Sequence, residues 1–391
     1  MEKLRKRNVV SSSIDTTSAS GNRPQEPAAE IRDGVTFFPK GSGDASERPS
    51  TLRVWAVASR PHTLTASIAP VLVGSCLAPL ASPFAAPYVL SNCLLFATFA
   101  CLVQLGTNLH NDYADFVKGA DDERRVGQAR ATQRGWLTPA QTAGGATVTL
   151  VAASAIGLYL TISAGRASGT GSVDPTFTIT VATSVFNAVA YTGGPYPLGY
   201  VGLGDVSIGY SGLGDVFVFL YFGIVATLGV PYLCLRSAGD GRPTSELLFL
   251  GDHAGGSGES GGLLTSLLAS VPVGFLATAI IVVNNLRDRK TDVGAGKRTT
   301  AVRFGESFAR AQYAALAVGS YGALPFLAYG KNRPFLWLLP LLSAPVAIPQ
   351  LRAVAMGGKD GADLNDHVGG TAQLQLLYCF LLCLGVWLES W

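Results

Sequence analysis

The chain has 391 residues, of which 48% are hydrophobic and only 14% charged, against about 25% charged in a soluble domain. Its net charge of +3 is too small for a nucleic-acid binder, and the basic residues gather at the edges of long apolar runs. These facts exclude a soluble globular domain and point to an all-α, multi-pass integral membrane protein.

Residues 1–52 are rich in Ser, Pro, Gly and charge and lack apolar periodicity, so a disordered polar tail is expected there. Its start, Met1-Glu-Lys-Leu-Arg-Lys-Arg7 followed by Ser11-Ser-Ser13, has the basic, Ser-rich character of an organelle transit peptide. Against that, Glu2, Asp15, Glu26 and Glu30 are more acid than such peptides carry, and a plain cytosolic tail is the equal reading. Residues 53–391 form one multi-pass domain with nine apolar segments: 61–80, 88–107, 142–164, 176–194, 215–236, 264–284, 308–329, 334–351 and 371–390. Each meets the requirement of about 20 residues for crossing a bilayer, so a bundle of about nine transmembrane helices is expected. The six cysteines lie in or beside these segments without metal-ligand spacing and read as small packing residues.

The connecting loops set an orientation. Lys118, Arg124, Arg125, Arg130, Arg134, Arg287, Arg289, Lys290, Lys297, Arg298, Arg303, Arg352 and Lys359 follow even-numbered segments; only Arg166, Arg236, Arg242, Lys331 and Arg333 follow odd-numbered ones. This bias puts the N-terminus and the loops after the second and sixth segments on the cytoplasmic or stromal side.

Those two loops carry the chemistry. The first reads Asn108-Leu-His-Asn-Asp-Tyr-Ala-Asp-Phe-Val-Lys-Gly-Ala-Asp121, the second Asn284-Asn-Leu-Arg-Asp-Arg-Lys-Thr-Asp292. In each an Asn precedes an Asp by four residues, Asn111 before Asp115 and Asn284 before Asp288, and a further Asp follows, Asp121 or Asp292. On a helix such a pair shares one face. Two of these half-sites facing each other make an oxygen-rich cage suited to a hard cation, and magnesium is held by one or two carboxylates plus a substrate's phosphates. The interleaved Lys118, Arg124, Arg125, Arg130, Arg287, Arg289, Lys297 and Arg298 suit the phosphate oxygens. Carboxylates and cations together point to a magnesium-bridged diphosphate. The competing reading, two solvated loops whose charges pair locally, does not account for the repeated spacing. The distance of four segments between the motifs suggests a duplicated four-helix unit followed by one extra helix.

Tyr191-Thr-Gly-Gly-Pro-Tyr-Pro-Leu-Gly199 ends the fourth segment in a shaped turn whose aromatic rings either line a cavity or sit in the interfacial belt. A tandem copy follows: Gly199-Tyr-Val-Gly-Leu-Gly-Asp205 is repeated as Gly209-Tyr-Ser-Gly-Leu-Gly-Asp215. Residues 237–263 read as a flexible Gly- and Ser-rich loop. Asp363, Asn365, Asp366 and His367 precede the last segment and are expected to cap it, the other reading being contact with a substrate head group.

Asn111-Asp-Tyr-Ala-Asp115 and Asp288-Arg-Lys-Thr-Asp292 resemble the two Asp-rich motifs of the UbiA-type membrane prenyltransferases. Gly119-Ala-Asp121, Ala129-Arg-Ala-Thr-Gln133, Tyr191 to Gly199 and Gly294-Ala-Gly-Lys-Arg-Thr299 are similar to the 1,4-dihydroxy-2-naphthoate prenyltransferase branch of menaquinone and phylloquinone biosynthesis. The likeness spans residues 55–391. That branch also shares the displaced last Asp of the first motif, Asp121 where the wider superfamily has its carboxylate at the position of Gly119. In the family the Gly-Leu-Gly-Asp stretch occurs once, so either Asp205 or Asp215 holds the family position.

The resemblance implies a UbiA-type bundle that transfers a polyprenyl or phytyl group from its diphosphate to 1,4-dihydroxy-2-naphthoate, with loss of the carboxyl group. It implies that Asp115, Asp121, Asp288 and Asp292 are catalytic and, with Asn111 and Asn284, hold Mg2+. Asn108, Asp112, Lys118, Arg130, Tyr191, Lys297 and Arg298 are the implied substrate-binding residues. The partners are then a prenyl diphosphate, an aromatic acceptor and the lipid bilayer. Competing acceptors are 4-hydroxybenzoate, homogentisate and a chlorophyllide. A transporter, the reading outside the enzymes, places such carboxylates near mid-helix rather than at helix ends among cations.

Overall fold

The computed structural model describes residues 30–32, 35–37, 49–117, 126–128, 130–192, 213–249, 263–294 and 297–390. The chain divides into Met1–Arg48 and Pro49–Trp391. In the first unit Glu30–Arg32 (β1) pairs antiparallel with Val35–Phe37 (β2). Local strand pairing therefore interrupts part of the stretch expected to be disordered. Val35, Thr36 and Phe37 are β-branched or aromatic. The remainder of that tail lies outside the described residues.

The second unit begins with α1 (Thr51–Ser59), capped by Ser50, whose Oγ accepts from the Arg53 amide. Then come α2 (Leu64–Ala81), α3 (Val89–Val117), α4 (Pro139–Ser168), α5 (Pro175–Ala190), α6 (Leu213–Val218) and α7 (Ala226–Ser237), the last two joined by a π-helical stretch, Phe219–Val225. They are followed by α8 (Thr244–Phe249), α9 (Leu264–Gly294), α10 (Thr300–Gly322), α11 (Leu324–Ala328), a 3-10 stretch Pro334–Ser343, α12 (Ala344–Val354) and α13 (Asn365–Glu389).

All nine expected segments fall on helices. Among the described residues seven are long and apolar enough to cross a membrane: Leu64–Ala81, Phe84–Val117, Pro139–Ser168, Gly214–Ser237, Leu264–Gly294, Pro334–Val354 and Gly361–Glu389. The other two differ for physical reasons. Pro175–Ala190 is apolar but has only 16 residues, and segment 308–329 is split between α10 and α11 while α10 carries Arg303, Glu306 and Arg310.

The motif helices overrun the bilayer. With 29 residues in α3 and 31 in α9, each is on the order of 45 Å long, against a hydrocarbon core of about 30 Å. The expected segments stop at 107 and 284, but the helices continue through both Asp-rich motifs. The parallel between the halves extends to packing: α3 lies chiefly on α4, and α9 chiefly on α10.

Alternating helix direction gathers the C-terminal ends of α3, α5 and α9 at the end of the bundle where α4, α6, α10 and α13 begin. The opposite end is locked by a buried network. Asp174, fully buried, accepts from the Tyr232 hydroxyl at 2.8 and 3.0 Å and pairs with Arg236 Nε at 3.0 Å. Arg236 also donates to the carbonyls of Asp240 and Arg242. With every partner satisfied, this buried ion pair fixes α5 against α7.

The π-helical stretch touches α9 backbone to backbone: a Cβ on Gly223 would sit 2.5 Å from the Gly274 Cα, and one on Gly274 would meet Phe219 at 2.8 Å. Small residues allow such approach between membrane helices. Gly274→Leu is expected to separate the two helices and cost about 1–3 kcal/mol or more, read as an earlier thermal transition in detergent. Gly322→Leu, where a Cβ meets nothing within 4 Å, is expected to leave the transition in place.

Candidate active site

The last turns of α3 present the first half-site. Asn108 is buried and its amide donates to the Ser59 carbonyl and the Thr63 hydroxyl, both at 2.9 Å, while Gln104 donates to its Oδ1. Arg60 in turn donates to the Asn108 carbonyl. Arg60 has φ 51°, a left-handed conformation that turns the chain between α1 and the Pro61–Thr63 turn. Asn108 thus joins α1 and the α2 entry to α3. One helical turn on, Asn111 Oδ1 accepts from Thr192 Oγ1 at 2.5 Å, which ties α3 to the end of α5. Asp112, 1% exposed, accepts from the Thr132 amide. Asp115, 2% exposed, faces Arg130 Nη2 at 3.5 Å and Lys297 Nζ at 3.7 Å.

The second half-site closes α9. Arg287, itself buried, donates to both oxygens of Asp288 at 2.8 and 2.7 Å and to Asn284 Oδ1 at 2.7 Å. The shared face expected for Asn284 and Asp288 is present, and one guanidinium spans it. The same guanidinium reaches Asn365 Oδ1 at 3.1 Å, and Asn365 donates on to the Val126 carbonyl beyond the first motif. Asn365 is therefore a bridge rather than the helix cap expected for it: α13 begins at that residue and has no side-chain cap. His367 bonds Gln350 and Lys359 instead. Arg289 and Lys290 turn outward to Glu306 and Asp360; Arg310 and then Arg289 hold the Glu306 carboxyl below its ordinary range, and Lys290 does the same for Asp360. Asp292 is buried at the end of the motif, and its carbonyl accepts from the Lys297 amide at 2.9 Å.

Lys297 is the point where the halves meet. Its backbone is tied to Asp292 of the second motif and its ammonium to Asp115 of the first. Tyr191, at the end of α5, stands in the same space. Burial pushes its phenol upward, and Asp215, Asp292 and Asp115, in that order, push it further by repelling a phenolate. The hydroxyl thus stays protonated and able to donate. Asp215 opens α6 and accepts from Asn285, Thr300 and Gln312.

Of the residues expected from the motifs, Asp115, Arg130, Tyr191, Asp292 and Lys297 are brought together, with Asn111, Asp112, Asn284 and Asp288 on the adjoining turns. Asn108 sits one turn back from Asn111, and Arg298 is exposed at the rim. Lys118, Asp121, Asp205 and residues 193–199 lie outside the described residues, as does most of the Gly- and Ser-rich loop. The motifs did not single out Thr192, Asn285, Thr300 and Gln312. Thr and Gln carry no chemistry of their own in a pattern, and their signal is tertiary: each meets a motif residue or Asp215 from a different helix.

The donor set suits a hard cation shared with a ligand. Three carboxylates from three elements, Asp115, Asp215 and Asp292, act on one phenol. Among the described residues no three His, Cys, Asp or Glu side chains form a closed cage.

The model of the UbiA prenyltransferase family matches residues 67–357. The 1,4-dihydroxy-2-naphthoate octaprenyltransferase of Escherichia coli (strain K12) is 32% identical over 345 residues, 88% of this chain and 97% of that protein. The enzyme of the same name from Mycobacterium leprae is 32% identical over 330 residues, 83% of this chain and 92% of its own. A solved UbiA homolog from Archaeoglobus fulgidus bound to DMAPP and Mg2+ is similar over 84% of this chain and 98% of its own, at 14% identity and a TM-score of 0.48. Two Asp-rich helix ends meeting across Lys297, in a chain matched along most of its length by these relatives, belong to a member of the UbiA prenyltransferase family, an integral membrane aromatic prenyltransferase.

Proposed function

We propose that the chain transfers a polyprenyl or phytyl group from its diphosphate to 1,4-dihydroxy-2-naphthoate with loss of the carboxyl group, a step of menaquinone or phylloquinone formation. The observation that carries the reading is the junction at Lys297, where both half-sites share one cation and cations flank a buried carboxylate. The names of the relatives similar over nearly the whole chain support the choice of acceptor.

Asp115, Asp288 and Asp292, with Asn111, Asn284 and Asp121, hold the magnesium, which when bound supplies positive charge to the diphosphate oxygens. Lys297 and Arg130 stand where the departing diphosphate gathers negative charge and stabilise it. The allylic carbon–oxygen bond breaks with its electron pair leaving on the diphosphate. The ring carbon that bears the carboxyl group attacks the resulting allylic cation. The ring–carboxyl bond then breaks, its electron pair returning to the ring as carbon dioxide departs. The Tyr191 ring offers its negative face to the cation, and the apolar helices receive the tail. The excess of Lys and Arg in the loops on the motif side supports a site on the cytoplasmic or stromal face.

In purified membranes given magnesium and a labelled prenyl diphosphate, 1,4-dihydroxy-2-naphthoate is expected to yield a lipid-soluble naphthoquinol, and 4-hydroxybenzoate none. Product from 4-hydroxybenzoate alone would overturn the acceptor. Asp115→Asn and Asp288→Asn are each expected to lower turnover roughly 100-fold or more, and chelation to abolish it until magnesium is restored. Lys297→Ala should lower kcat by a similar factor, whereas Lys290→Ala, whose ammonium pairs with Asp360, should change it less than about twofold.

A further inference from the structure

Lys297 carries the junction of the two motifs, but the helix that follows does not by itself fix its place. Gly305 has φ 85° and ψ 177°, a conformation that favours glycine, so α10 is a short first helix and a longer second one joined at a break. The regular i to i−4 bonds that would tie the two parts together fail there. The short helix opens at Thr300, three residues after Lys297, and Thr299 caps it by accepting from the Val302 amide.

Asp215 spans the break. Its Oδ2 accepts from Thr300 Oγ1 at 2.9 Å, before Gly305, and from Gln312 Nε2 at 2.8 Å, after it. Its Oδ1 accepts from Asn285 on α9 at 3.3 Å, next to Asn284 of the second motif. One carboxylate, 5% exposed, therefore sets both parts of α10 against α9. At the other end of the segment the Lys297 amide donates to the Asp292 carbonyl at 2.9 Å. Residues 297–300 are thus clamped at both ends, by the α9 backbone and by Asp215, and the Lys297 ammonium stands 3.7 Å from Asp115. On charge alone Asp215 would repel a diphosphate. Its contribution to the site lies in what it holds.

We propose that Asp215 is a positioning residue for Lys297: by bridging the break at Gly305 through Thr300 and Gln312, it holds the segment so that the ammonium meets Asp115 and the departing diphosphate. The assignment rests on the role given to Lys297 above and names the residue that sets its place.

The test is a double-mutant cycle on the full-length protein in membranes, read by kcat and by inhibition with inorganic pyrophosphate. Asp215→Ala removes the acceptor for all three donors, and Thr300→Val removes the link to Lys297 without altering charge. Each is expected to lower kcat roughly tenfold or more and to weaken pyrophosphate inhibition by a similar factor. Loss of a negative charge alone would instead strengthen that inhibition. Thr300→Ser, which keeps the hydroxyl, is expected to recover most of the loss seen in Thr300→Val. In a Lys297→Ala background Asp215→Ala and Thr300→Val should each add less than about a twofold loss. Thr300→Val carries the cycle if Asp215→Ala does not fold. Losses that multiply with that of Lys297→Ala, tighter pyrophosphate inhibition in Asp215→Ala, or no recovery in Thr300→Ser would overturn the assignment and leave the role of Lys297 intact. A Lys297→Ala protein as active as the unaltered one would overturn that role, and the assignment with it.

Discussion

A buried carboxylate in a membrane protein must be compensated, and the structure at the motif end follows from that requirement. Asp115 is nearly inaccessible and cannot find its counter-charge on its own helix. It takes Arg130 from the loop that follows and Lys297 from the other half of the chain. The second motif meets the same need locally, with Arg287 spanning Asn284 and Asp288 and extending to Asn365. Compensation of charge is thus also what joins the two halves. The pairs at Asp115 are long, 3.5 and 3.7 Å, and a polyanion can draw those cations off without dismantling a tight bridge.

The cations are not interchangeable. Arg289, Lys290 and Arg310 are engaged by Glu306 and Asp360 on the outer side of the site. These pairs keep part of the basic run off the motif carboxylates. Arg130 and Lys297 remain on the inner side. Inside the same space, one wall carries positive charge and the other, around Asp215, carries only neutral donors.

This arrangement depends on helices longer than the membrane requires. α3 and α9 project beyond the apolar slab and carry their motifs as helix, so that side chains four residues apart keep a common direction. The backbone contact of Gly223 with Gly274 sets the start of α6 against α9, within reach of Asn285. At the far end the Asp174–Arg236–Tyr232 network holds the helices together without any part in the chemistry.

The membrane class, the apolar segments and both Asp-rich motifs were legible in the sequence, because they rest on local properties: hydropathy over a bilayer's length and the 3.6-residue helical repeat. The Asn–Asp spacing told which side chains share a face for the same reason. Two segments were harder to read. Residues 308–329 look continuous in hydropathy, but Ala323 and Pro325 divide them into two helices, and 176–194 is shorter as a helix than as an apolar run. Which charges meet was decided only by the tertiary structure. That Lys297 reaches Asp115, that Asn365 bridges rather than caps, and that Asp215 is held by Thr300 and Gln312 all depend on helices distant in the chain. A sequence records each residue's preference for burial and helix. Pairing between buried charges depends on distance in space, and that exists only once the helices have packed.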